Sequence, residues 1–290
     1  MDKLDLVDTH VHFWDLGHPE LHYAVLQPDF YHPQLRERLD ELKGTNHLAE
    51  DYIAETRNAN VTKAVHVQAA LGTKDPVKES EWLQQAAERT GFPHAIVAYS
   101  DLRDPGVEGE LERHLEYPNV KGIRDFSYGD YLVEPDFHRG YALLEKFDLV
   151  ASLDVKWENM LELRDLAARF PNTVVVLDHC GFPLERTDEY FNNWREAVSA
   201  LAEADNVVCK LSGLGMCDWD WTVDSMRPWL LHCVDAFGPE RCILATNWPI
   251  DRLFSTYDVL RDAYDQVFAG FSLDERVAMY SGNAEKLYGI

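Results

Sequence analysis

Two histidines one residue apart, His10 and His12, close an apolar run containing Leu4, Leu6 and Val7 near the start of the chain. Alternate residues of a β-strand share a face, so Asp8, His10 and His12 are expected to project together, with both imidazoles near the strand's C-terminal end. Imidazoles so placed can grip one metal ion or one substrate oxygen. The plainer reading makes one a strand cap and the other a satisfied core residue, and the remaining polar residues have to decide.

The elements that must position them recur along the chain. Short apolar, β-branched runs fall at 6–12, 64–70, 95–101, 120–126, 150–156, 173–179, 207–212 and 242–247, with amphipathic stretches between them. Strand then helix, repeated eight times, predicts an α/β protein of the (β/α)8 TIM-barrel class, one domain over residues 1–290 with a long first βα loop at about 13–46. A doubly wound sheet for a dinucleotide would need a glycine-rich turn after the first strand, and the chain has His12, Phe13, Trp14 and Asp15 there. Barrel enzymes build their sites at the C-terminal strand ends. Those ends carry His10 and His12, Gln68, Arg124, Lys156, His179, Lys210 with Ser212, and Asn247.

Composition narrows the class of partner. A formal charge of −24 with a pI near 4.7 opposes binding to nucleic acid or an anionic membrane, which leaves a small-molecule substrate. Five cysteines (Cys180, Cys209, Cys217, Cys233 and Cys242) contain no Cys-x-x-Cys pair, and no run is long enough to span a membrane. A cytoplasmic protein is expected, and a homo-oligomer is left open. Cys180 follows His179 directly, yet neighbours on a strand face opposite ways, so it reads as a structural thiol.

The ordered motifs Val7 to Trp14, Val67 to Ala69, Lys121 to Arg124, Leu177 to Gly181, Lys210 to Leu214, Thr246 to Pro249 and Gly282 to Tyr288 resemble the amidohydrolase superfamily, and within it the lactonase-like metal-dependent hydrolase group. The resemblance implies a reaction centre of His10, His12, His179 and, where the family has an aspartate, Asn247. It implies hydrolysis of a small, anionic, sugar-acid or muconate-type lactone. The alternatives are a mononuclear-metal decarboxylase of the same superfamily and a non-catalytic ligand-binding relative.

The asparagine changes the chemistry. An amide cannot take a proton from water near neutral pH, so the base falls to His179 or to Asp251, whose plainer role is a turn residue. His10, His12 and His179 would suit one divalent ion, Zn²⁺ above others, although a metal-independent reaction is equally open. Arg124 would hold a substrate carboxylate through its planar fork, with Trp14, Gln68, Lys210 and Trp248 as further substrate contacts. Asp8 and Asp178 are expected behind the histidines, and the aromatic first loop is expected to serve as a lid or binding segment.

Overall fold

The computed structural model describes residues 3–127 and 129–290. Eight parallel strands run in sequence order around the sheet: β1 Leu6–Val11, β2 Val61–Val67, β3 Ala95–Tyr99, β4 Val120–Arg124, β5 Val150–Leu153, β6 Val175–Leu177, β7 Val207–Leu211 and β8 Cys242–Leu244. One side-chain and one backbone hydrogen bond close the seam between β8 and β1. Thr9 donates to the Leu244 carbonyl at 2.8 Å, and the His12 N–H donates to the Trp248 carbonyl at 2.8 Å. The molecule is a (β/α)8 barrel.

The lower interior is filled by the β-branched residues that made the strands legible. Val7, Val65, Val67, Val97, Val150, Val176 and Ile243 pack there, and Ala284 and Tyr288 of the last helix (Asn283–Tyr288) plug that end. A second, larger core lies between the strands and the outer helices, where Trp194, Trp229, Leu230 and Cys233 meet Val207, Cys209 and Cys242. Apolar filling below leaves the polar residues stacked at the C-terminal mouth.

The strands are shorter at their C-terminal ends than the apolar runs suggest. His179, Cys180, Gly181 and Phe182 are four consecutive left-handed residues, with φ of 54°, 54°, 70° and 50°, and Asn247 has φ of 57°. Such backbone costs on the order of 1–3 kcal/mol at each non-glycine residue and persists only where the surroundings over-determine it. Here the Trp194 indole N–H donates to the Cys180 carbonyl at 2.8 Å, and Thr246 is tied to Asp8.

β1 also departs from simple alternation. Asp8 pairs with Ala64 but Val11 with His66, so three steps on β1 match two on β2. The extra residue reverses which face follows. Asp8 therefore does not share a face with His10 and His12. It turns outward to accept from Thr246 N at 2.9 Å and from the hydroxyls of Tyr52 and Tyr257, each at 2.9 Å, and it braces the seam instead of orienting a histidine.

Candidate active site

His10, His12 and His179 meet at the mouth. The ring centre of His10 lies 4.8 Å from that of His12 and 4.3 Å from that of His179. His12 donates its Nδ1–H to the Val67 carbonyl at 2.8 Å, which leaves Nε2 as the lone-pair nitrogen. His179 sets Nδ1 2.9 Å from the Ser212 hydroxyl, and its ring lies against Gly213. A Cβ at Gly213 would sit 2.4 Å from His179 Nδ1, so glycine there is a condition of the ring's position, and its φ of +68° points the same way.

All three imidazoles are neutral at neutral pH. Burial pulls His179 well below the ordinary histidine range, with Arg124 and Lys210 adding to it, and burial with Arg124 brings His12 to about 4. His10 is likewise depressed by burial, with His179 and Lys210 reinforcing it.

Beneath them lies a charged floor. The Asp178 Oδ1 atom stands 2.7 Å from Lys210 Nζ, with neither side chain exposed, and Oδ2 accepts from the Ser152 hydroxyl at 2.8 Å. Arg124 pairs with Asp154 through Nη2, and its Nε lies 3.6 Å from Asp178 Oδ2. Burial pushes Asp178 up, but Lys210 and Arg124 outweigh it and keep the carboxylate ionised. Two cations thus face two carboxylates, and the floor carries little net charge.

Above the floor a cavity of about 120 Å³ opens at the mouth. His12, Gln68, Arg124, Asp154, His179 and Asn247 form its polar side. Its walls are apolar and come largely from loops, with Trp14, Leu26 and Leu35 of the first loop facing Phe126, Phe182 and Met216. The first loop, with short 3-10 turns at Ala24–Leu26 and Arg36–Glu41, is therefore a wall of the site. It is fastened by the Trp14 pairing with His47, by Arg38 on the Leu253 carbonyl at 3.3 Å, and by the Trp219 indole donating to the Gln34 carbonyl at 3.2 Å.

Asn247 and Asp251 form a pair one helical turn apart. The Asn247 Nδ2–H donates to Asp251 Oδ2 at 2.7 Å, and Gly215 N donates to Oδ1 at 3.2 Å. The bond to Nδ2 turns the Asn247 carbonyl oxygen away from Asp251. Asp251 is 1% exposed and does not line the cavity, and burial raises its carboxyl to about 7.

The remaining expected contacts divide. Trp14, Gln68 and Arg124 reach the cavity; Lys210 lies under the floor on Asp178 and His10. Trp248 turns into the helix layer, donating to Glu55 at 2.6 Å and packing 5.1 Å from the Tyr257 ring. Lys156 is exposed, because β5 ends at Leu153 and the residue at the mouth is Asp154, two positions before the expected one. Cys180 is a buried thiol held in the left-handed turn, so its separation from the reaction centre comes from that turn and not from strand alternation.

The hydrogen bonds and charges around the three histidines bear on how well they fit a metal ion. Among the described residues, the sulfurs of Cys180, Cys209 and Cys233 lie within 4.8 Å of one another, away from the cavity. The fourth position is an amide, and the inner nitrogen of His10 faces an ammonium group at 3.4 Å. His10 Nε2 has no partner, which alone would suit a ligand, while the Lys210 ammonium beside Nδ1 of the same ring opposes a further cation.

Comparison with known proteins agrees with this architecture. A protein of Sinorhizobium fredii carrying the name uncharacterized protein y4mH is 36% identical over 302 residues, covering all of both chains. An L-fucono-1,5-lactonase of Burkholderia multivorans is 27% identical, covering 98% of this chain and 96% of its own. The crystal structure of an amidohydrolase from Burkholderia multivorans with bound zinc superposes with a TM-score of 0.84 at 26% identity, over 99% of each chain. The amidohydrolase family model matches residues 7–290, and the chain belongs to that family.

Proposed function

We propose that the protein hydrolyses a sugar-acid lactone, with His179 as the general base and Arg124 and Asn247 positioning the substrate. The observation that carries this reading is His179 itself. It is a neutral imidazole at the cavity wall, held through Nδ1 by Ser212 and seated against Gly213. The name of the L-fucono-1,5-lactonase relative, and that of an L-rhamnono-gamma-lactonase of Scheffersomyces stipitis at 23% identity, support the substrate class.

With Nδ1–H donated to Ser212, the Nε2 lone pair of His179 takes a proton as water oxygen bonds to the lactone carbonyl carbon. The tetrahedral intermediate collapses by breaking the bond from that carbon to the ring oxygen, which recovers the proton from His179. The Arg124 guanidinium, at the same cavity, opposes the charge developing on the carbonyl oxygen. Asp251 is a positioning residue in this scheme. It has no access to the cavity, but its carboxylate holds the Asn247 amide with the carbonyl oxygen beside His12 at the cavity, where a water or substrate hydroxyl can donate to it.

The balanced floor supports a neutral lactone over the anionic one expected from Arg124 alone. Asp154 already answers Arg124, and the buried Asp154 Oδ1 atom has no partner, which suits acceptance from a substrate hydroxyl. Proton release on L-fucono-1,5-lactone, L-rhamnono-gamma-lactone and a carboxylated muconolactone tests the assignment. Turnover of a neutral sugar lactone that is lost in His179→Asn supports it; turnover unaffected by that change removes His179 from its role.

A further inference from the structure

The buried group at Lys210 has a consequence for the histidine beside it. Lys210 Nζ carries only donors, is fully buried, and has two acceptors within reach: Asp178 Oδ1 at 2.7 Å and His10 Nδ1 at 3.4 Å. Asp178 is already engaged on both oxygens, with Lys210 Nζ paired to Oδ1 at 2.7 Å and the Ser152 hydroxyl donating to Oδ2 at 2.8 Å. The nearest approach of His10 Nδ1 to Asp178 is 3.6 Å, too long for a good hydrogen bond. A donor at Nδ1 would set an N–H against an ammonium group with a poor acceptor beside it. An acceptor there satisfies a second Lys210 hydrogen, and an unmet donor on a buried ammonium is costly.

We infer that Lys210 fixes His10 as the Nε2–H tautomer, so that His10 is a hydrogen-bond donor in the histidine cluster and is closed to a metal ion. In a metal-binding imidazole the roles are reversed, with Nδ1–H given to a carboxylate and Nε2 left as the ligating lone pair. The chain has the carboxylate for that arrangement, Asp178, but Lys210 has taken it. His10 Nε2, unpartnered and directed away from Lys210, then presents a proton toward an oxygen lodged among the imidazoles. Only this last consequence rests on the proposed hydrolysis; the tautomer stands on the local hydrogen bonds. His12 is the internal contrast, because its Nδ1–H donates to a carbonyl and its Nε2 is the lone-pair nitrogen.

Long-range ¹H–¹⁵N correlation on the full chain with ¹⁵N-labelled histidine, at pH 7.5, reads each tautomer directly, with His10 assigned by the cross-peaks lost in His10→Gln. The wild type is expected to show His10 protonated at Nε2 and His12 at Nδ1. Lys210→Met is expected to move the His10 proton to Nδ1, toward Asp178, and to tighten cobalt(II) binding at least ten-fold, read from its visible absorption. His10 protonated at Nδ1 in the wild type overturns the inference, as does an unchanged tautomer in Lys210→Met. Should Lys210→Met not fold, Lys210→Met combined with Asp178→Asn removes both charges, and the wild-type spectrum decides in either case. None of these readouts requires turnover, so they fail separately from the lactonase assignment.

Discussion

Replacing Asp251 by asparagine is expected to stabilise the protein in alkaline solution while weakening its activity. The unfolded carboxyl titrates near 3.8 and the folded one at about 7, because burial outweighs the bonds from Asn247 and Gly215. A carboxyl raised by folding contributes its stability at low pH and loses it as pH rises through the folded value. At about 1.4 kcal/mol for each pH decade, the ionised group costs up to about 4 kcal/mol above pH 7, and less than half of that at pH 5. Asparagine never ionises, so its advantage over the wild type should widen by roughly 2–3 kcal/mol between pH 5 and pH 8.5. With an unfolding entropy near 2.1 cal/mol/K per residue, that is about 4 °C for 290 residues. The same change removes the acceptor that holds Asn247 Nδ2, and kcat/KM should fall about 10- to 100-fold, the worth of one or two hydrogen bonds. In the wild type, kcat/KM should decline as pH falls through 7, where Asp251 gains a proton and its hold on Asn247 loosens, and this limb should vanish in the variant. Thermal unfolding at the two pH values, with parallel initial rates, checks both parts. A stability difference that does not change with pH would refute the reasoning, because it would mean that Asp251 ionises as freely folded as unfolded.

Glu79 provides a contrast without the functional cost. Its Oε1 accepts from Ala69 N and Ala70 N, both at 2.8 Å, and burial raises it to about 7, so Glu79→Gln keeps both bonds and should gain up to about 3 kcal/mol above pH 7, with kcat within about two-fold of wild type. Gly213→Ala should lower kcat about 10- to 100-fold while circular dichroism stays native, because the new Cβ would displace the His179 ring from Ser212. Asp154→Asn should shift the ratio of kcat/KM for neutral over carboxylated lactones by about ten-fold or more toward the carboxylated, since Arg124 then lacks its nearest counter-charge. An unchanged ratio, measured by proton release, would remove Asp154 from substrate recognition.

The barrel and most of the mouth were legible because periodicity records which face a residue buries. Apolar runs ending in His10 and His12, Gln68, Arg124 and His179 mark strands that rise out of a dry interior, and these residues do meet at one end. What could not be read was the backbone after the strands. The left-handed residues at His179, Cys180, Phe182 and Asn247 follow from tertiary anchors such as Trp194 on Cys180 and Thr246 on Asp8, which no local pattern announces. The bulge in β1 reversed Asp8 for the same kind of reason, through register against β2. Ending β5 at Leu153 put Asp154 in the cavity and sent Lys156 to solvent, a shift of two residues that puts an acid where a base was expected. Lys210 sits at a strand end as read, but a strand end on the barrel interior lies below the mouth, and its charge is spent on Asp178.

The most direct test of the central claim is the initial rate of proton release from L-fucono-1,5-lactone by the wild type and His179→Asn, each before and after exhaustive chelation, corrected for spontaneous hydrolysis. Wild-type turnover is expected to survive chelation and to fall at least a hundred-fold in His179→Asn, in keeping with the loss of a general base. Turnover that disappears on chelation, or that persists without the His179 imidazole, would contradict this reading.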